Sequence, residues 1–397
     1  MRGALSWPFL RLYLLTLMYF SANSILNVII PLKGESLGAT NTTIGIIMGA
    51  YLFTTMFFRP WAGHMIHKYG PVKVLRTILM MNGCALILYT FTGLGGYFAA
   101  RMLQGVCTAF FSMALQLGII DALPDKERSQ GISMYSLCAS MPNIAGPLLA
   151  LSMWQTADSR YFTAAMITIA LLTGVVGYSA RLEKKEAEPA GAGDQPGHGA
   201  KMLNSFGQLV KNPPLFKCSV LMLTASLVFG AVTTFIPLYA MQIESGNAAV
   251  YLMIQATAVV AARFALRKKI PSDGKWHSTF MMAIMLMLAA GAQCVSFSAS
   301  GGTVFFYAGA CLTGIAQALL YPTLTTYLTF ALPQHNRNVL IGLFIATADL
   351  GVSLGGVVMG PFADLFSYSF MYMICAGLGL SMIFFAYDRR KIARPGL

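Results

Sequence analysis

The chain has 397 residues, of which 56% are hydrophobic and only 10% charged, and its mean hydropathy of +0.65 lies outside the range of water-facing domains. These values exclude a string of ordinary globular domains and leave the bilayer as the solvent for most of the sequence. The net charge of +13 does not indicate nucleic acid, because the basic residues are scattered through short breaks between apolar runs rather than gathered on one soluble face.

Apolar runs near the roughly 20 residues that a helix needs to cross the hydrocarbon follow one another along the chain. They lack the alternation of strands, so helices are the spanning elements. In chain order the predicted spans are 9–32, 43–61, 74–92, 97–120, 133–154 and 162–178, then 217–239, 248–266, 279–297, 304–331, 341–359 and 369–387. The first follows Met1 and Arg2 as the core of a signal peptide does, yet it runs to Leu32 without a small-residue cleavage pattern and is expected to remain as a helix. One long polar break, 181–215, is rich in Gly, Pro, Ala and charge, the composition of a flexible tether. It divides the chain into an N-terminal bundle, 1–180, and a C-terminal bundle, 216–397. Within the break Met202, Leu203, Phe206, Leu209 and Val210 recur at helical spacing. That suits a short helix lying on the inner leaflet as well as it suits an unstructured lead into the seventh span. The seven cysteines, at 84, 107, 138, 218, 294, 311 and 375, lie in or beside apolar runs with no Cys-x-x-Cys spacing, and read as packing residues.

Lysine and arginine set the orientation. The N-terminus, the even-to-odd connections and the C-terminus hold nearly all of them, and the opposite side holds only Lys33 and Arg160. Cytoplasmic connections favour these residues, so both termini are expected in the cytoplasm. The sequence also repeats itself at about half its length. Ala122-Leu123-Pro124 with Arg128 recurs as Ala331-Leu332-Pro333 with Arg337, and Gly105 and Gly146 fall on Gly314 and Gly355 at the same offset of 209. Ile30-Pro31-Leu32 recurs as Ile236-Pro237-Leu238 at an offset of 206. Six spans restore the starting side, so the repeats are parallel, and a polar site near the midplane between the halves with rocking access follows by analogy.

After the second span the chain reads Arg59-Pro60-Trp61-Ala62-Gly63-His64-Met65-Ile66-His67-Lys68-Tyr69-Gly70, the fourth span carries Arg101-Met102-Leu103-Gln104-Gly105, and the fifth contains Gly146-Pro147. With these motifs the chain resembles the major facilitator superfamily along its whole length. The resemblance implies an all-α membrane protein of twelve transmembrane helices in two parallel six-helix bundles. Gly63, His67, Lys68 and Gly70 match the family's Gly-x-x-x-Asp-Arg-x-Gly signature, with His67 where the family has the aspartate that helps hold the outward-facing state. Arg-x-x-Gln-Gly is similar to the signature of proton-coupled members, and Gly146-Pro147 to that of antiporters. A closer resemblance is to the opine-metallophore exporters of Gram-positive bacteria. It is carried by residues 1–5, Ser21-Ala22-Asn23, 101–124, Ile270-Pro271-Ser272-Asp273-Gly274, Tyr321-Pro322-Thr323-Leu324-Thr325 and Ala348-Asp349-Leu350-Gly351. It implies export of a metal-free, staphylopine-like and nicotianamine-like amino-polycarboxylate, coupled to protons, by a monomer in membrane lipid. A drug or general metabolite efflux carrier of the same superfamily is the alternative. Direction is not fixed by the residues, since one rocking cycle serves import and export.

An ionisable group within a span costs about 2.5–3.5 kcal/mol on insertion scales, so it faces a cavity or a partner. Arg101 and Asp349 stand out on this ground. Asp349 is the expected proton carrier, because desolvation raises a carboxyl pKa. Arg101 is expected either to tune that proton or to bind a substrate carboxylate through its planar fork. Asn23, Asn27, Tyr51, Gln104, Gln116, Asn143, Gln255, Gln317, Tyr321 and Thr325 add hydrogen-bonding groups to the spans, for substrate or for neighbouring helices. Arg11 and Arg263 read as snorkelling groups near the inner interface. Gly351-Val352-Ser353-Leu354-Gly355 matches a hydrolase nucleophile pattern, but it sits inside a span with every histidine in a connection, so an enzyme is not expected. The methionines of the ninth span read as core or lipid-facing residues. There is no phosphate-cradling loop or histidine cluster, so no cofactor or resident metal is expected.

Overall fold

The computed structural model describes residues 5–156, 158–179, 211–266, 269–271, 273–333 and 337–387. Over these the chain is helical apart from short turns, with no strand among the described residues. The first seven helices are α1 Trp7–Ser36, α2 Asn41–Tyr69, α3 Pro71–Phe91, α4 Leu94–Ala122, α5 Asp125–Ser140, α6 Pro142–Gln155 and α7 Ser159–Tyr178. They are followed by α8 Pro213–Tyr239, α9 Ala248–Ala265, α10 Ser278–Gly301, α11 Thr303–Ala331, α12 Arg337–Leu365 and α13 Tyr368–Ala386. Among the described residues 12 stretches are long and apolar enough to cross a membrane, the fifth being shared by α5 and α6.

Polar caps mark where the chain turns back into lipid. Thr40, Asn212, Asn247 and Ser367 each accept a hydrogen bond from the backbone N–H three residues on, at 3.1–3.3 Å, which satisfies one of the unpaired donors at a helix start. Gly70 ends α2 at φ 84°, a conformation that a side chain resists, and Pro71 opens α3 at once. The connection expected after the second span is helical, because α2 continues through it to Tyr69, and α12 likewise runs past the expected 359 to Leu365. The fifth span is interrupted at Met141, where Pro142 brings no N–H to the helical ladder. The Ser24 hydroxyl from α1 donates to the Pro142 carbonyl at 2.9 Å. The seventh span begins at Pro213, inside the expected tether. The rest of that tether, with the proposed helix over 202–210, lies outside the described residues.

Chain contacts divide the protein into two compact units, Met1–Asp194 and Gln195–Leu397. In the first, α1 packs on α6, α2 on α4, α3 on α4 and α3 on α7. In the second, α8 packs on α12, α9 on α11, α10 on α11 and α10 on α13. These are the same four pairings, one set per half, and the close approaches within them correspond residue by residue. A Cβ on Gly105 would strike the Tyr51 carbonyl, and one on Gly314 would lie 2.6 Å from the Gln255 carbonyl. A Cβ on Gly146 would strike Ser24, and one on Gly355 would crowd Gly230 and the Leu227 carbonyl. Small residues are what let spanning helices approach this closely, so the duplicated glycines of the sequence are the helix contacts of each half.

In the second unit the connection 273–277 is tied down by Trp276. Its Nε1 donates to the Ala386 carbonyl at 3.0 Å, Tyr327 meets it edge-on at 5.0 Å, and the Lys217 ammonium lies 4.3 Å from its ring centroid. Beside it Asp273 accepts from His277 at 2.8 Å and from the Lys275 N–H at 3.1 Å, which holds its carboxyl below the usual range. Trp276→Ala therefore removes a packed ring and a hydrogen bond at once. It is expected to destabilise the second unit by about 3–5 kcal/mol, read as a fall in melting temperature of the detergent-purified protein.

Candidate substrate and coupling site

Arg101 lies seven residues into α4, about 10 Å along the helix at 1.5 Å per residue, and is 0% exposed. Its Nη1 donates to Asn23 Oδ1 at 2.7 Å and its Nη2 to Asn27 Oδ1 at 2.7 Å. Nη2 also lies 3.4 Å from the Met48 sulfur, and Nη1 lies 3.5 Å from Gln104 Oε1. The Tyr51 ring centroid is 5.2 Å from the guanidinium carbon, within the range of a cation–π contact. Among the described residues no carboxylate reaches Arg101, and its buried Nε has no partner. The cation is thus held by neutral oxygens, a sulfur and a ring, and its charge is not cancelled.

A second layer fixes that shell. Tyr89 donates to Gln104 Oε1 at 3.0 Å. The Thr108 hydroxyl is shared between Tyr51, at 3.0 Å, and Tyr19, at 2.9 Å. Tyr19 in turn stacks on Phe111 with ring centroids 3.8 Å apart. Helices α1, α2, α3 and α4 thereby converge on one buried cation, and buried polar groups satisfied in this way specify a single arrangement.

Of the predicted residues, the structure brings Arg101, Asn23, Asn27, Tyr51 and Gln104 together. Gln116 stands apart from them, with its side chain bonded to Tyr135 of α5, and Asn143 is exposed. In the second unit Gln255 is buried, and Gln317, Tyr321 and Asp349 are half-buried. Tyr321 stacks on Phe344, with centroids 6.0 Å apart. The Thr325 hydroxyl is bonded to the Tyr321 carbonyl of its own helix at 2.7 Å. Gly63 has nothing within 4 Å of a Cβ position, Lys68 is exposed, and the side chain of His67 lies outside the described residues. Pro147 is buried inside α6 beside Gly146. Met48, Tyr89 and Thr108 belong to the shell but were not singled out in the sequence. Among the described residues no three His, Cys, Asp or Glu side chains gather as a metal site.

The half-to-half correspondence shows that this shell is not duplicated. At the offset of 209 that relates the packing glycines Arg101 falls on Ala310, and at the offset of 206 that relates Ile30-Pro31-Leu32 to Ile236-Pro237-Leu238 Asn23 falls on Phe229 and Asn27 on Thr233. Among the described residues the second unit holds no fully buried cation.

The sequence pattern of the Major Facilitator Superfamily matches residues 12–271 and 272–396. The chain belongs to this superfamily. It is a multi-pass membrane transporter and not an enzyme. The chain is 52% identical over 395 residues to the staphylopine export protein of Staphylococcus aureus, covering 100% of this chain and 99% of that protein. It is 23% identical over 356 residues to multidrug resistance protein 2 of Bacillus subtilis, covering 87% and 86%. The solved structure of the nucleoside transporter NupG matches with a TM-score of 0.72 at 13% identity, covering 95% of this chain and 97% of that one. The human organic anion transporter MFSD10 matches with a TM-score of 0.66 at 14% identity, covering 95% and 98%. At such identities the two structures speak for the fold of the transporter.

Proposed function

We propose that this transporter exports a metal-free opine-type metallophore, staphylopine-like and nicotianamine-like, in exchange for protons and by alternating access of its two halves. The observation that carries the reading is the 52% identity across the whole chain to a staphylopine export protein. The chemistry of the first unit agrees with it. An amino-polycarboxylate presents carboxylates, and Arg101 with its carboxamide shell is an uncancelled cation built into a span. In a metal complex those carboxylates are already ligated, so the free form is the better partner for such a site. In the second unit Gln255, Gln317 and Tyr321 supply neutral polar groups for the ligand's amines. The two bundles are joined on the cytoplasmic side, both termini face the cytoplasm, and the protein works as a monomer in lipid.

The test is uptake of labelled staphylopine into inverted vesicles, with and without a proton gradient, offered metal-free and zinc-loaded. Gradient-driven uptake of the free form is expected. Vesicles that pump hydrophobic dyes and leave staphylopine outside would show a drug efflux carrier instead. Asp349 of α12 is the proton carrier in this scheme. Asp349→Asn is accordingly expected to abolish gradient-driven uptake while leaving staphylopine counterflow in place. Gradient-driven uptake that keeps its normal pH dependence in that variant would remove Asp349 from the coupling.

A further inference from the structure

We infer that the atoms of the first unit that grip a substrate carboxylate are the amide nitrogens of Asn23 and Asn27, and that Arg101 is the positioning residue that aims them. The inference rests on the proposed reading of the substrate as an amino-polycarboxylate.

Four observations lead to it. Arg101 is 0% exposed, so a ligand cannot reach its guanidinium without displacing part of the shell around it. A guanidinium only donates, so the atom that each asparagine turns toward it must be the oxygen, as the 2.7 Å contacts to Oδ1 record. This removes the usual ambiguity between amide oxygen and nitrogen. The two NH2 groups are then turned away from the cation. Asn23 and Asn27 are only partly buried, and among the described residues neither amide nitrogen has a partner.

Spacing supplies the rest. The two residues are four apart on α1, one above the other on the same face, with Cβ atoms about 5–6 Å apart. Two stacked NH2 groups match the two oxygens of a carboxylate. An amide left unpaired toward hydrocarbon is unfavourable, so this face of α1 suits water or a polar ligand rather than lipid. Donating electron density to the guanidinium makes each carboxamide a better donor, by about 10–30% per bond in linked chains. The buried charge adds a long-range attraction for the anion. A neutral contact also releases its anion more readily than a direct bidentate arginine pair, and a carrier must let go as well as bind.

The decisive variants are Asn27→Asp and Asn23→Asp. A carboxylate has the shape of the carboxamide and accepts from Arg101 in the same geometry, so the buried cation remains satisfied. What changes is the outward group, which turns from a donor into an acceptor. Both proteins are expected to melt at or above the wild-type temperature. Their KM for metal-free staphylopine in inverted vesicles is expected to rise at least tenfold. KM for the analogue with its carboxylates converted to amides should not rise, because that ligand carries donors of its own. A wild-type KM for staphylopine in both variants would mean that the asparagines serve only the arginine, and would overturn the inference. So would an equal rise for staphylopine and its amide analogue, the mark of general damage. A wild type that carries no staphylopine at all overturns the substrate reading, and the inference with it.

Discussion

Arg101→Lys is expected to give a protein that reaches the membrane, keeps its charge and transports at least about tenfold more slowly than the wild type. Lysine keeps the cation but offers a single ammonium on a flexible stem, whereas the guanidinium delivers two donors from one plane. The 2.7 Å bonds to Asn23 and Asn27 leave from different nitrogens of that plane. A lysine can satisfy one of them well and must loosen the other. A hydrogen bond to a charged group contributes about 1.5–3 kcal/mol, so the loss of one corresponds to about tenfold or more in the population of the aimed arrangement. The contacts with Tyr51 and Met48 are made by the guanidinium as well and would be lost with it. Initial rates of staphylopine uptake into inverted vesicles, normalised to transporter content, check the prediction. A lysine variant at wild-type rate would mean that the site needs only a positive charge, and the shared geometry of α1 and α4 would carry no function.

Arg101 was legible in the sequence because a charge in an apolar run is expensive, and Gln104 because it belongs to the Arg-x-x-Gln-Gly motif and adds a hydrogen-bonding group to the span. Asn23 and Asn27 were legible for the same reason in weaker form, being carboxamides four apart in a run that otherwise fits lipid. Their attachment to Arg101 was not legible, since nothing in a linear pattern says which face of α1 meets which face of α4. Met48, Tyr89 and Thr108 escaped notice because such residues are ordinary in a span, and only tertiary packing turns them toward one guanidinium. The ends of α2 and α12 lie beyond the expected ones, because a helix continues through the polar residues that enter it. The break at Met141 was missed because no charged residue marks it anywhere between Arg128 and Asp158. Gly63 belongs to a signature and has nothing within 4 Å of a Cβ position, whereas Gly105, at the end of another signature, is closely approached by its neighbours.

Gly105→Ala is expected to be the most damaging single-methyl change in the first unit. The new Cβ would strike the Tyr51 carbonyl and the Thr54 hydroxyl, and neither can yield cheaply. The Tyr51 carbonyl accepts from Thr54 at 3.0 Å and from Thr55 at 2.9 Å, and Thr55 also donates to the Gly105 carbonyl at 2.9 Å. Relief requires α2 to move away from α4, which breaks the threonine bridge and carries the Tyr51 ring off Arg101. Overpacking of a well-filled contact costs about 1–3 kcal/mol, and the lost hydrogen bonds add to it. Detergent-purified Gly105→Ala should therefore melt well below the wild type and transport poorly. Gly314→Ala should repeat the destabilisation in the second unit, where the Gln255 carbonyl stands in the same relation. Gly63→Ala and Gly342→Ala serve as the contrast. Both positions are helical with nothing within 4 Å of a Cβ, so alanine should leave the melting temperature unchanged or raise it, as helix propensity favours alanine over glycine by up to about 1 kcal/mol. Equal melting temperatures for Gly105→Ala and Gly63→Ala would mean that α2 and α4 do not approach as closely as their threonine bridge requires, and the aromatic support beneath Arg101 would have to be rebuilt from other contacts.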